Sequence, residues 1–218
     1  MSLQESPAPP PAKNLALETT RFTRMLIQDN GLDRNDFESW VFCPGMLFGS
    51  PDKWWGDRGK RDFPHEGIDF CLYRNRNMQV LPIEAQTRIP VMHTGVVRAL
   101  FTDFLGQAVI IEHETSERET GTFLSVYAHT NPLDGIQTGK IVKQGDIIAT
   151  IAETHRSKAK ILPHLHVTIG IPAPDFTYEP FEWNSMRNPA LVTLLNPKGL
   201  IDWPCQVLDA ATLDCLDR

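Results

Sequence analysis

The segment PHLHVTIG at Pro163–Gly170 decides the fold, because its side chains alternate between apolar and polar along the chain. Successive side chains of a β-strand point to opposite faces of a sheet, so the alternation predicts a strand with one apolar and one polar face. The polar face carries His164, His166 and Thr168. Two neighbouring imidazoles are suited to binding a metal or transferring protons, and two solvated histidines on an edge strand are the alternative.

The region before this segment contains further short runs rich in Val, Ile, Phe and Tyr. Gly, Asn, Asp and Pro separate these runs, as turn residues separate the strands of all-β domains. So many short strands predict a mainly β fold, arranged as an antiparallel β-sandwich. The predicted strands are Ile68–Tyr73, Thr94–Leu100, Gln107–His113, Thr122–His129, Ile147–Ile151 and His164–Ile169.

The segment PHEGIDF at 64–70 places His65 and Asp69 four residues apart. Its proline and glycine favour a loop that leads into a strand over a helix. Taken alone, the pair also fits a surface histidine and a capping aspartate.

The segment FLSVYAH at 123–129 ends in a third candidate, His129. Strict strand alternation places His129 on the same face as Tyr127 and Ser125. A lone histidine at a strand end is more often structural than catalytic, so its interest depends on the other two segments.

Together these segments contain the donors of a catalytic zinc site, which uses three His, Asp or Glu ligands and leaves one position for water. His65, Asp69 and one of His164 and His166 supply that set. Zinc lowers the pKa of a bound water from about 16 toward about 7, and the remaining histidines are then free for proton transfer. Spacing alone leaves the choice between His164 and His166 open.

At this point the chain resembles the lysostaphin/LytM-type zinc metallopeptidases, over roughly Phe63 to Gly170. The two histidine motifs, in this order and with the Tyr-Ala-His segment between them, are specific as a set. The matching pieces are HEGID at His65–Asp69, TGVV at Thr94–Val97, AVIIEH at Ala108–His113, VYAH at Val126–His129, GKIVKQGDIIA at Gly139–Ala149 and PHLHV at Pro163–Val167.

The resemblance implies that one Zn²⁺ per chain is bound by His65, Asp69 and His166, and that His164 and His129 act in catalysis. His164 is then the candidate general base and His129 the donor to the developing oxyanion, with roles that can be exchanged or shared. The resemblance also implies a duplicated hybrid motif fold and a peptide of the peptidoglycan cross-links as substrate.

The sequence departs from the family in two places, both at the edges of the expected substrate groove. The loop before the His-x-His pair, ETHRSKAKIL at 153–162, is bulkier and more basic than the Gly/Ser/Thr-rich loop usual in the family. The pair continues with Val-Thr where the family often has Phe-Glu. Both departures affect expectations about substrate specificity and leave the three metal ligands in place.

The rest of the chain is predicted to flank a zinc peptidase core at 63–171. Residues 1–13 read as a disordered Pro-rich leader. Residues 14–62 are expected to form a helix at Asn14–Asn30, stopped by Gly31, and a long loop packed on the catalytic domain. Residues 172–218 are expected to be an irregular extension. Its one helical candidate is Pro189–Leu195.

Composition narrows the possible partners and compartments. A net charge of -6 over 218 residues argues against a nucleic-acid partner. No apolar run approaches the roughly 20 residues of a transmembrane helix. The substrate implies the cell envelope, periplasmic or secreted, although no signal peptide is visible. The cysteines form no C-x-x-C pair, and Cys205 and Cys215 could close a C-terminal loop under oxidising conditions.

Two other functions fit parts of the sequence. A catalytically silent protein that binds peptidoglycan or regulates amidases could use the same fold, although such relatives typically lack ligands that this chain retains. A phosphocarrier domain would explain GKIVKQGDIIA and the paired histidines, but it would leave His65 and Asp69 without a role. Trp54, Trp55 and Trp183 could wall a substrate groove or anchor loops.

Overall fold

The strand that carries the His-x-His pair lies inside a large, mainly antiparallel sheet. The computed structural model describes residues 20–114, 121–154, 161–179, 181 and 183–209. The helices are α1, Phe22–Asp29, and α2, Trp183–Arg187. The strands are β1 Phe37–Phe42, β2 Ile68–Phe70, β3 Leu72–Asn75, β4 Val80–Pro82, β5 Arg88–Pro90, β6 Gly95–Thr102, β7 Gln107–Glu114, β8 Thr122–Pro132, β9 Ile141–Val142, β10 Ile147–Ile151, β11 Leu165–Pro172, β12 Val192–Leu195 and β13 Cys205–Val207.

The large sheet runs in the order β12-β11-β8-β7-β6-β9. Strand β2 pairs with β11, and β10 pairs with both β8 and β5. A second sheet has the order β13-β1-β3-β4, in which only the β1–β13 pair is parallel. These antiparallel sheets confirm the predicted mainly β fold.

Both faces of the large sheet are covered in the described part of the chain. On one face, the apolar side chains of β11 join a core with α1 and the second sheet, where Phe22 and Trp40 both pack on Phe70. On the other face, a smaller cluster includes Val126 of β8 and Met186 of α2. The C-terminal extension therefore covers part of the polar face predicted for β11, and Thr168 has no exposed surface.

The N-terminal segment differs from the prediction in two ways. Helix α1 begins at Phe22, after a bend at Arg21. The predicted helix is therefore wrong at residues 20 and 21, which the structure describes as non-helical. Residues 14–19 and the leader lie outside the described residues. Gly31 follows α1 with a φ of 64°, a left-handed conformation that suits glycine and a helix stop. The expected loop region also contains the buried strand β1.

The C-terminal extension is more regular than predicted. The helix expected at Pro189–Leu195 is wrong, because the helix lies earlier, at α2, and Val192–Leu195 forms strand β12. Pairing of β12 with the edge of β11 supplies the backbone hydrogen bonds that a short helix would otherwise have to make. The tail then adds β13 to the second sheet, so both flanking segments pack on the central region.

No helix among the described residues combines the length and apolar character needed to cross a bilayer. Cys43 and Cys71 are buried free thiols, and Cys205 is exposed. Cys215 lies outside the described residues, so its pairing with Cys205 stays a prediction.

Candidate metal and catalytic site

Regular sheet register brings two of the predicted ligands together. Asp69 of β2 and His166 of β11 are direct partners in an antiparallel pair, although 97 residues separate them in the chain. On its other side, His166 pairs with Ala128 of β8. The small methyl group of Ala128 leaves space for the imidazole beside it.

The third predicted ligand, His65, lies on the loop before β2. Its backbone N–H donates to the carbonyl of Ser50 at 3.0 Å, and its own carbonyl accepts from the N–H of Gly49 at 2.8 Å. Gly67 then passes so close to β11 that an added Cβ would lie 2.2 Å from the carbonyl oxygen of Val167. Only glycine allows this approach, which places His65 beside His166.

The three side chains converge on one point. The Nε2 atom of His65 lies 3.1 Å from Oδ1 of Asp69 and 3.0 Å from Nδ1 of His166, and the last two atoms are 2.8 Å apart. All three residues are buried. Their donor atoms therefore form a nearly equilateral triangle.

Neighbouring hydrogen bonds favour one tautomer of each imidazole in this triangle when both rings are neutral. Nδ1 of His65 lies 3.1 Å from the carbonyl of Leu47, which can only accept, so Nδ1 bears the proton and Nε2 a lone pair. Nε2 of His166 can donate to the Thr168 hydroxyl at 2.8 Å, which leaves Nδ1 a lone pair. Two nitrogen lone pairs and a carboxylate then face one another, an arrangement that fits a bound cation.

The carboxylate of Asp69 is held in its ionised form. Burial favours the neutral acid, but positive charge on His65 and His164 and hydrogen bonds from His166 and His65 outweigh burial and hold the pKa of Asp69 well below its ordinary value. A cation bound between neutral rings would take the place of that positive charge. Its second oxygen, Oδ2, accepts a hydrogen bond from the indole of Trp54 at 2.7 Å. The guanidinium of Arg61 lies 3.8 Å from the same oxygen. Trp54 and Arg61 thus orient the carboxylate from behind.

His164 lies next to the triangle as a neutral base. Its Nδ1 donates to the carbonyl of Leu162 at 2.8 Å, so Nε2 retains a lone pair. Burial lowers its pKa to about 3, against the nearby charge of Asp69, which raises it. Its ring contacts the rings of Trp54 and His129, with centroids 5.0 and 4.8 Å away.

His129 reaches the same site through an irregularity in β8. Strand β8 shifts register against β7 between the pairs Gln107–Thr130 and Val109–Tyr127, and His129 has a φ of 63°. A β-bulge of this kind re-aims a side chain. The prediction from alternation, which placed His129 with Tyr127, is therefore wrong: Tyr127 packs in the core, while His129 faces His164 and His166.

Asp103, which the sequence did not single out, holds this bulge in place. Its Oδ1 accepts from the backbone N–H groups of Leu105 and Gly106, each at 2.8 Å, and Oδ2 accepts from the backbone N–H of His129 at 2.8 Å. The imidazole Nδ1 of His129 also lies 3.1 Å from Oδ2. The pKa of Asp103 is lowered, because these hydrogen bonds and His129 outweigh burial.

All five predicted site residues line one open cavity of about 230 Å³. Trp55 and Trp183 also line it, as does the exposed ring of Phe104. Trp54 is instead buried behind the site, where it binds Asp69. The structure therefore brings the predicted residues together, and their chemical roles remain predictions.

His113, by contrast, is a structural histidine. It is fully buried, and its two ring nitrogens lie 3.1 Å from the carbonyl of Thr94 and 2.7 Å from the hydroxyl of Ser125. Burial lowers its pKa to about 4. His155 and most of the basic loop at 153–162 lie outside the described residues.

Comparison with solved structures gives matches of low sequence identity. Lysostaphin from Staphylococcus simulans is 18% identical, with 75% of this chain and 48% of that chain covered and a TM-score of 0.41. A zinc-containing peptidase from Vibrio cholerae is 19% identical, with coverages of 78% and 41% and a TM-score of 0.42. The catalytic domain of prophage-encoded EnpA from Enterococcus faecalis, in a mutant form, is 24% identical, with coverages of 62% and 90% and a TM-score of 0.36.

The chain thus spans less than half the length of the first two of these proteins. A comparison with curated proteins gives no match. A family profile, described as peptidase family M23, matches residues 64–174, which include all five predicted site residues. On this match the chain belongs to peptidase family M23.

Proposed function

We propose that this protein is a zinc-dependent endopeptidase that hydrolyses peptide bonds in peptidoglycan cross-links. His65, Asp69 and His166 would hold one Zn²⁺. The observation that carries the proposal is the triangle of two imidazole nitrogens and one carboxylate oxygen 2.8–3.1 Å apart, which neutral rings would turn into three lone-pair donors around one point. The two-nitrogen, one-oxygen set is one that catalytic zinc sites use.

The chemistry follows from the donor set and the two further histidines. Bound zinc would supply a Lewis acid that polarises the scissile carbonyl and acidifies a water molecule. His164 donates through Nδ1 and so keeps a lone pair on Nε2, which makes it the candidate to accept a proton from the attacking water. His129, on the same side of the cavity, can donate to the oxygen on which negative charge develops.

The substrate and compartment are proposed from the family rather than from the geometry. A peptidase of family M23 that acts on peptidoglycan would work in the cell envelope, in the periplasm or outside the cell. We propose that residues 63–171 form the catalytic core. Strand β1 before this core and strand β13 after it both join the second sheet, which supports flanking segments that pack on the core.

Digestion of purified peptidoglycan, with mass spectrometry of the fragments, tests this proposal. The zinc-loaded protein should release fragments whose masses correspond to cleaved cross-links. His65→Ala should abolish release and zinc binding while the circular dichroism spectrum is retained. His93→Gln, a histidine outside the cavity lining, is the matched control and should stay active.

The same experiment distinguishes an active peptidase from a catalytically silent protein on the same fold. Stoichiometric zinc with no cleavage of any cross-linked wall would contradict the enzymatic proposal and favour a silent binding or regulatory protein.

A further inference from the structure

Helix α2 of the C-terminal extension forms one wall of the cavity. Trp183 and Arg187 lie four residues apart and therefore on the same face of the helix, and both line the cavity. The ring of Trp183 lies 5.6 Å from the ring of His166. Arg187 forms an ion pair with Glu66, the residue that follows His65. The helix thus presents a cation beside the proposed metal ligands.

The guanidinium of Arg187 is fixed on two sides. Its Nε donates to Oε1 of Glu66, and its central carbon lies 4.6 Å from the ring centroid of Phe63. Glu66 binds Nε, and within the described part of the chain the two terminal nitrogens make no hydrogen bond, so they remain for a ligand. The Arg187 side chain is 32% exposed, so a molecule in the cavity can reach them. An arginine fixed in this way loses little conformational freedom when it binds a carboxylate.

The other cation deep in the wall is already engaged. Arg61 donates to the carbonyls of Asp52 and Gly45, each at 3.0 Å, and stacks on the ring of Trp55. Its side chain is only 13% exposed. Arg61 therefore supports the site from behind, whereas Arg187 faces the cavity.

The charges around the cavity favour an anionic ligand. The lining contains three basic and three acidic side chains, whose charges balance before a metal is counted. A bound Zn²⁺ would make the cavity positive, in a chain whose net charge is -6. This local reversal of charge would favour acidic peptides over neutral ones.

We propose that Arg187 forms a carboxylate subsite, which selects substrate peptides with a free acidic group beside the scissile bond. This inference rests on the proposed function for the identity of the ligand. It assigns Arg187 to binding, so its loss should raise KM more than it lowers kcat.

Binding and cleavage of two matched peptides test the subsite. The peptides are one cross-linked stem peptide with a free carboxylate next to the cross-link, and the same peptide with a carboxamide in its place. Binding to the zinc-loaded full chain is followed through the indole N–H signal of Trp183 by NMR, before appreciable cleavage. We expect about 10-fold tighter binding of the acid, as a charge-assisted hydrogen bond provides. Arg187→Gln should bring the ratio to about 1.

Three further variants guard against misfolding and chance effects. Glu66→Gln leaves Arg187 with its charge and should keep or increase the preference for the acid. The double variant Glu66→Gln, Arg187→Gln replaces the ion pair by a neutral pair, so α2 can stay docked while the preference is lost. Arg98→Gln is the matched control, because Arg98 also pairs with a glutamate, Glu112, and approaches an aromatic ring, but lies outside the cavity lining. It should leave the ratio unchanged.

The outcomes distinguish this inference from the proposed function. Equal binding of the two peptides by the wild type overturns the subsite, and so does an acid preference that survives Arg187→Gln, which would assign the carboxylate to the metal. Cleavage without acid preference removes the subsite and keeps the peptidase. Acid preference lost in Arg187→Gln, without cleavage by the wild type, keeps the subsite and removes the peptidase.

Discussion

The metal triangle and the bulge at His129 lie side by side in the cavity, but the chain builds them in different ways. Asp69 and His166 are partners in regular sheet register, and they need no unusual backbone. His129 has a φ of 63° in a register shift and depends on a carboxylate 26 residues away in the chain. A left-handed conformation is costly for a residue with a Cβ, and such strain is typical of functional sites. We therefore expect that substitutions can impair zinc binding separately from the proposed donation by His129 to the oxyanion.

The largest effect is expected from Asp69→Asn, which alters the proposed metal ligand that regular sheet register places beside His166. The amide keeps the shape of the side chain but removes the negative charge that pairs with two imidazoles. Loss of several kcal/mol of metal-dependent stabilisation should lower kcat/KM at least about 10³-fold and weaken zinc binding. Zinc content and peptidoglycan digestion measure the two effects. Normal zinc affinity together with normal activity would remove Asp69 from the ligand set.

A smaller effect is expected at Asp103, which holds the bulge that carries His129. Asp103→Asn keeps one oxygen for Leu105 and Gly106, but turns an NH₂ group toward the backbone N–H of His129. The bulge should relax and kcat should fall about 10-fold with zinc content unchanged, whereas His129→Ala should cost about 10²-fold. Asp146→Asn, which alters a turn carboxylate outside the cavity lining, is the control.

A double variant distinguishes positioning from general support of the fold. If Asp103 acts through His129, Asp103→Asn should change kcat little once His129→Ala is present, because the imidazole it positions is gone. Equal effects in both backgrounds would contradict the positioning role. The melting temperature of each variant shows whether the hairpin has loosened.

The same contrast explains what could be predicted from the sequence. Alternation in PHLHVTIG predicts β11 to within a few residues, because regular pleating fixes side-chain direction. The side chain of His129 could not be placed in the same way, since a histidine carries no local signal for positive φ. Asp103 was missed because its contact with His129 is long-range. The role of Trp54 behind Asp69 was missed for the same reason.

Two strand segments show this limit most clearly. Val192–Leu195 was predicted to be helical, but pairing with β11 makes it a strand, and tertiary context of this kind overrides local preference. The run Ile68–Tyr73 was predicted as one strand, but it divides at Cys71 into strands of two different sheets.

A more modest effect is expected from Trp54→Phe, which tests the hydrogen bond behind the proposed metal ligand Asp69. Phenylalanine keeps an aromatic ring beside His164 but removes the N–H that donates to Asp69. Loss of a hydrogen bond behind a ligand typically weakens metal binding by 10- to 100-fold, and we expect about 10-fold, because Arg61 still lies near the carboxylate. Competition with a zinc chelator measures the change. Trp55→Phe is the matched control, since Trp55 lines the cavity and stacks on Arg61.

The smallest effect at neutral pH is expected at His113, a histidine in regular register on β7. Its pKa is about 4 in the folded protein and about 6.5 when unfolded, so the unfolded state binds more protons between these values. The free energy of unfolding should therefore fall as the pH drops from 6.5 toward 4, by up to about 3 kcal/mol, and stay unaffected by this group above 6.5. Denaturant unfolding gives the free energy of unfolding of wild type and His113→Gln at several pH values. The difference between the two slopes of this free energy against pH measures the contribution of His113, because the other histidines contribute equally to both proteins. Equal slopes would show that His113 has the same pKa in the folded and the unfolded protein, so that burial in this strand does not hold the imidazole neutral.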